Sequence, residues 1–99
     1  MVIHMVLFTF KETTDTKTLD EIRKALLGLK ETISLIKEFS FGKNFSARSE
    51  GFDYGLLVKL SSKADLKTYQ DHPEHQLVVK EVIRPALSKI LAVDYDTTN

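Results

Sequence analysis

An α+β domain with the element order βαββαβ is what this sequence predicts, and three features carry the prediction. Residues 2–10, 52–60 and 90–95 are apolar stretches rich in branched and aromatic side chains, the composition of strands. Two intervening stretches repeat apolar residues at helical spacing, and an extended stretch around Gly42, residues 35–46, runs into a polar loop at 46–51. A chain of 99 residues that is 42% hydrophobic suits one compact domain, read here as residues 1–99. Its core is expected over about 2–95.

The first strand has Val2, His4, Val6, Phe8 and Phe10 on one face and Ile3, Met5, Leu7 and Thr9 on the other, so neither face is made for water. Asp15 or Thr18 can cap the first helix, Thr18 with Glu21 as a capping box. Leu19, Ile22, Leu26, Leu29 and Ile33 follow at helical spacing, with the helix ending near Lys30. In the second strand Phe39, Phe41, Lys43 and Phe45 share a face.

Ser61 or Ser62 can cap a second helix carrying Leu66 and Tyr69 on one side. Pro73 suits the first turn of a further helix through Val78, Val79, Val82 and Ile83, which Pro85 kinks or ends. After the last strand, the polar tail 96–99 is expected to fray.

This order builds a four-stranded antiparallel sheet with helices on one face, the ferredoxin-like arrangement. In a monomer the other face, with Ile3, Met5 and Leu7, would be an exposed apolar patch, and such patches mark interfaces. Packing of two copies sheet against sheet is the natural resolution, so the expected partner is a second copy of the chain.

Composition removes several classes of function. The 14 basic and 14 acidic residues balance, leaving no field to gather nucleic acid or anionic membrane. An RNA-binding sheet would also need exposed aromatics framed by basic residues, where the third strand offers Leu56, Leu57 and Val58. The absence of cysteine excludes disulfide scaffolds, thiolate metal sites and cysteine nucleophiles. No leader or membrane-length apolar run is seen, so a cytoplasmic protein is expected.

With its helix beginning at Pro73, His75 shares a face with Val79, Val82 and Ile83 and points inward, as Tyr69 does with Leu66. A histidine and a phenol in an apolar pocket can abstract a proton α to a carbonyl and hydrogen-bond the enolate that develops. The same two residues also suit a structural role, His75 satisfying a buried carbonyl and Tyr69 filling the core. Asp94, the only carboxylate between Val93 and Tyr95, can orient His75 through its other ring proton, or can simply be a solvated strand end. His72 and His75 are spaced to share an ion on a helix. However, Pro73 pushes His72 toward extended geometry suited to a cap, and no metal or cofactor is expected.

The segment Tyr69-Gln-Asp-His-Pro-Glu-His75, with His4 in the first strand, Gly51-Phe-Asp-Tyr54 before the third and Val93-Asp-Tyr95 at the end, resembles the stress-responsive dimeric α/β-barrel (Dabb) family over essentially the whole domain. The resemblance implies a homodimeric barrel of two face-to-face sheets. It implies no uniform reaction, although polyketide-cyclase members use a tyrosine and a histidine that fall on Tyr69 and His75, with an aspartate at Asp94. It places His4 toward a pocket beneath the helices and gives Val6, Phe8, Ile22, Leu26 and Leu56 as walls, with His72 counted among the ligand-binding residues. At Leu26, Ile22 and Arg23 the cyclase aromatics are absent, which implies another cavity shape and a small hydrophobic or ketone-bearing ligand of its own. Haem-degrading enzymes on the same barrel depend on a tryptophan, and this chain has none.

Overall fold

The computed structural model describes residues 1–97, which run β1 (Val2–Phe10), α1 (Thr16–Thr32), β2 (Glu38–Lys43), β3 (Tyr54–Leu60), α2 (Lys63–Asp71), α3 (Pro73–Val78) and β4 (Leu87–Asp96). Between α3 and β4 the chain passes through a π turn, Val79–Ile83, and a 3-10 turn, Arg84–Ala86. The four strands form one sheet in the order β2-β3-β1-β4, with every neighbouring pair antiparallel. This is the ferredoxin-like arrangement.

Register decides what each face carries. Opposite residues of antiparallel neighbours share a face, so Val6 of β1 lies with Leu56 and Ala92, and Met5 with Leu57 and Val93. The Val6 face joins the core with Phe8, Phe10, Val58 and Leu60, against Ile22, Leu26 and Leu29 of α1 and Leu66 and Tyr69 of α2. Burying such side chains stabilises by about 1.5–3 kcal/mol each.

The helix ends follow their capping chemistry. Asp15, not Thr18, caps α1: its carboxylate accepts from the Thr18 N–H at 2.8 Å, and hydrogen bonding with the Thr18 side chain and backbone holds its pKa below the ordinary carboxylate value. The helix continues beyond Lys30 to Thr32, and Ile33 closes it with a backbone bond to the Leu29 carbonyl. Ser62 caps α2. Pro73 breaks the second helix as expected, because the residue before a proline is driven out of the α region and His72 sits at φ −61°, ψ 133°. Pro73 then occupies the first turn of α3, where its missing N–H costs nothing.

Other boundaries also differ from expectation: β2 begins at Glu38, not Leu35, and β3 at Tyr54, not Phe52. Strand β2 stops at Lys43, so Phe45 does not share the Phe39–Phe41 face and is fully exposed in the loop. Strand β4 starts at Leu87, not Ile90. The tail stays paired at its start: Asp96 belongs to β4, and the Thr97 N–H donates to the Met1 carbonyl at 2.8 Å. Positions 98–99 of the expected fray lie outside the described residues.

The outer sheet face is apolar, but its exposed part is not where β1 parity puts it. Ile3 is buried and Met5 and Leu7 are half-buried, flanked by β3 and β4. Leu91, Val93 and Tyr95 of β4, their cross-strand partners, carry the exposure at 44–48%.

Candidate functional site

Tyr69 sits in the last turn of α2 and His75 in the first turn of α3, so the Pro73 break folds the two around a corner with ring centroids 4.5 Å apart. His75 Nδ1 lies 3.0 Å from the Gln70 carbonyl. A carbonyl only accepts, so Nδ1 carries the proton and the neutral ring keeps its lone pair on Nε2. Burial pushes the His75 pKa down, the Gln70 bond opposes that, and the nearby His4 and His72 lower it further. The ring is therefore held neutral, in the tautomer a general base needs.

Tyr69 is fully buried, and burial alone raises its pKa. A phenol so placed stays protonated and can donate a hydrogen bond but not act as a base. Among the described residues no hydrogen bond engages its hydroxyl, while His75 and the edge of the His4 ring, 6.0 Å away between centroids, flank the aromatic ring.

These groups face a cavity of about 330 Å³ between the inner face of β1 and β4 and the helical side. Its wall takes His4, Val6 and Phe8 from β1, Leu26 and Leu29 from α1, Leu56 from β3, and Val78, Val79 and Ile83 from α3 and the π turn. Leu87, Ile90 and Ala92 of β4 line the far side, where Ile90 and Ala92 are also exposed to solvent, with Tyr69, Gln70, His75 and Arg84 as the other lining residues. The volume lies at the lower end of the roughly 300–1,000 Å³ usual for ligand pockets.

Of the residues singled out from sequence, His75, Tyr69, His4, Val6, Phe8, Leu26 and Leu56 thus meet at one cavity. The others do not. Asp94 pairs with His4, not with His75: β1–β4 register sets the two directly opposite, and the carboxylate Oδ1 meets His4 Nδ1. The backbone carbonyl of Gln70 takes the orienting part expected of Asp94. Ile22 is fully buried in the core and does not line the cavity. His72 caps α3, its Nδ1 accepting from the Glu74 N–H at 3.1 Å, and faces a separate surface depression.

Val82 leaves the His75 face as well, lying beside Ile22 and Pro85, because the π turn shifts the helical phase after Val79. Sequence reasoning missed Gln70, Leu29, Val78 and Arg84, and Leu87, Ile90 and Ala92 of β4. Leu29 was visible in the α1 periodicity, whereas the β4 residues needed the register. Among the described residues no group of three or more potential metal ligands gathers, and no helix is long and apolar enough to cross a membrane.

The model of the stress-responsive A/B barrel domain family (Dabb) matches residues 2–97. Two proteins from Arabidopsis thaliana, both described as stress-response A/B barrel domain-containing proteins, are similar in sequence. One is 29% identical over 92 residues, covering 93% of this chain and 35% of its own length, so the chain spans about a third of that protein. The other is 27% identical over 98 residues, covering 97% of this chain and 89% of its own length.

Among solved structures, an Arabidopsis thaliana protein superposes with a TM-score of 0.90 at 27% identity, covering 100% of this chain and 97% of that one. Hydroxynitrile lyase from Passiflora edulis gives 0.87 at 26%, covering 95% and 90%. A dimeric ferredoxin-like protein from Thermobifida fusca gives 0.85 at 25%, covering 97% and 90%. With a family model spanning nearly its whole length, this chain belongs to the stress-responsive A/B barrel domain family.

Proposed function

We propose that the chain works as a homodimer joined through its outer sheet face, and that each cavity binds a small, largely apolar compound with a carbonyl group set between His75 and Tyr69. The observation that carries this reading is the pairing of a neutral imidazole, its Nδ1 committed to the Gln70 carbonyl, with a protonated, otherwise unengaged phenol in one apolar cavity. The apolar outer face and the dimeric relative from Thermobifida fusca support the homodimer.

On such a ligand the pair can run acid–base chemistry of the cyclase or isomerase type. His75 Nε2 takes the proton α to the carbonyl, and Tyr69 donates a hydrogen bond to the oxygen that becomes the enolate. The proton then returns from Nε2 to carbon, or the enolate carbon attacks a second carbonyl and the proton goes to the new alkoxide. Similarity to a hydroxynitrile lyase, whose name denotes a small organic substrate, supports a small-molecule site here.

A second reading, ligand binding without turnover, is favoured by the same His75–Gln70 bond, which a purely structural histidine would also make. Exchange of α-protons for solvent deuterium separates the two. A panel of alkyl and aryl ketones in heavy water is expected to show exchange with the parent and none with His75→Ala. Ketones that bind the parent without exchange would leave the binding role alone, and a parent that binds none of them would remove both readings.

A further inference from the structure

Beside the cavity lies a surface depression of about 400 Å³ that shares Gln70, His75, Val79 and Arg84 with it and adds Gln76 and Lys80. Lys80 and Arg84 are both exposed, and none of the ion pairs among the described residues involves either. An apolar cavity therefore adjoins a rim that carries two cations without carboxylate partners among the described residues.

The position of Arg84 at this rim depends on the π turn. Arg84 follows His75 by about two and a half turns of α-helix, which would set it on the opposite side. Its N–H instead bonds back to the Val79 carbonyl, so the wide turn absorbs one residue and brings Arg84 round to the cavity. Such turns concentrate at functional sites.

We propose that the ligand is an amphipathic carboxylic acid, its apolar body in the inner cavity and its carboxylate outside between Arg84 and Lys80. This rests on the ligand-binding reading above and adds the charge of the ligand to it. The guanidinium fork matches a carboxylate with two parallel hydrogen bonds, and the ammonium adds a second positive charge. Because both groups face water, they confer a modest preference for the charged ligand, not the whole affinity.

The test compares octanoate with octanamide, equal in chain length and different in charge, by titrating each while following the His75 ring protons by NMR. Octanoate is expected to bind the parent about fivefold more tightly. That gap should close in about 1 M salt and in the double variant Lys80→Gln/Arg84→Gln, where it is read against octanamide in the same variant so that any change in the cavity itself cancels, and it should narrow in Lys80→Gln alone, which leaves the cavity lining untouched. No gap in the parent, or one that survives in the double variant, overturns the proposal and leaves the cavity reading standing. If neither probe binds the parent, the cavity reading falls and the proposal with it.

Discussion

His75 and Tyr69 stand 4.5 Å apart between ring centroids, and the histidine is held in one tautomer by the Gln70 backbone carbonyl, not by an acidic side chain. A main-chain acceptor adds no negative charge to favour the imidazolium, so burial prevails and the His75 pKa falls below its ordinary 6.5. The base is then available across the neutral range without a carboxylate partner. Substitution His75→Ala is expected to lower turnover of a competent ketone by roughly a hundredfold to ten-thousandfold, with circular dichroism unchanged.

The same shift makes stability depend on pH. Between the depressed folded value and 6.5, the unfolded chain takes up a proton that the folded chain refuses, so stability falls as pH drops through that window and is untouched above it. Proton abstraction has the same sign, since only neutral His75 can accept. Urea denaturation at about pH 7.5 and about pH 5 should show a loss of stability in the parent that is smaller in His75→Gln. An equal loss in both would place the sensitive group elsewhere.

Tyr69 separates packing from chemistry. Its ring fills the core while its hydroxyl makes no bond among the described residues, so Tyr69→Phe should change stability by no more than about 1 kcal/mol. Turnover, by contrast, should fall roughly a hundredfold through loss of the enolate donor. Tyr69→Ala should cost about 3–5 kcal/mol by leaving a void. Ultraviolet titration provides a direct check: the difference between parent and Tyr69→Phe isolates one phenol that ionises above its ordinary 10.0.

Much of this was legible in the sequence because the chemistry is local. The two apolar faces of Val2–Phe10 mark a strand covered on both sides, and Pro73 forces the break that turns His75 back toward Tyr69. What stayed hidden depends on relations between elements. Asp94 meets His4 only because β1 and β4 pair in one register, which no local pattern encodes. The π turn at Val79–Ile83 has no residue signature, yet it moves Val82 away from the cavity and Arg84 into it. The exposure of Leu91, Val93 and Tyr95 follows from β4 being an edge strand, again a matter of sheet order.

The His4–Asp94 pair is expected to stabilise the fold and not to drive the reaction. His4 is buried, so Asp94→Ala leaves a ring nitrogen without its partner at a cost of about 1–3 kcal/mol. His75 keeps its Gln70 contact in that variant, so the acid limb of the rate profile should not move. A loss of activity larger than the loss of folded protein would instead make Asp94 a positioning residue for the cavity.

The dimer prediction is independent of any chemistry in the cavity. Val93 lies on the outer sheet face opposite Met5, so Val93→Arg would put a charge into the sheet–sheet interface, at an effective penalty of several kcal/mol for an unpaired buried ion. Leu77 of α3 is also exposed, but on the helical side, so Leu77→Arg serves as the matched control. Light scattering at micromolar concentration should give a dimer for the parent and for Leu77→Arg and a monomer for Val93→Arg. A dimer that tolerates Val93→Arg but not Leu77→Arg would move the interface to the helices, and a monomeric parent would leave the apolar strip of Leu91, Val93 and Tyr95 without a second copy to cover it.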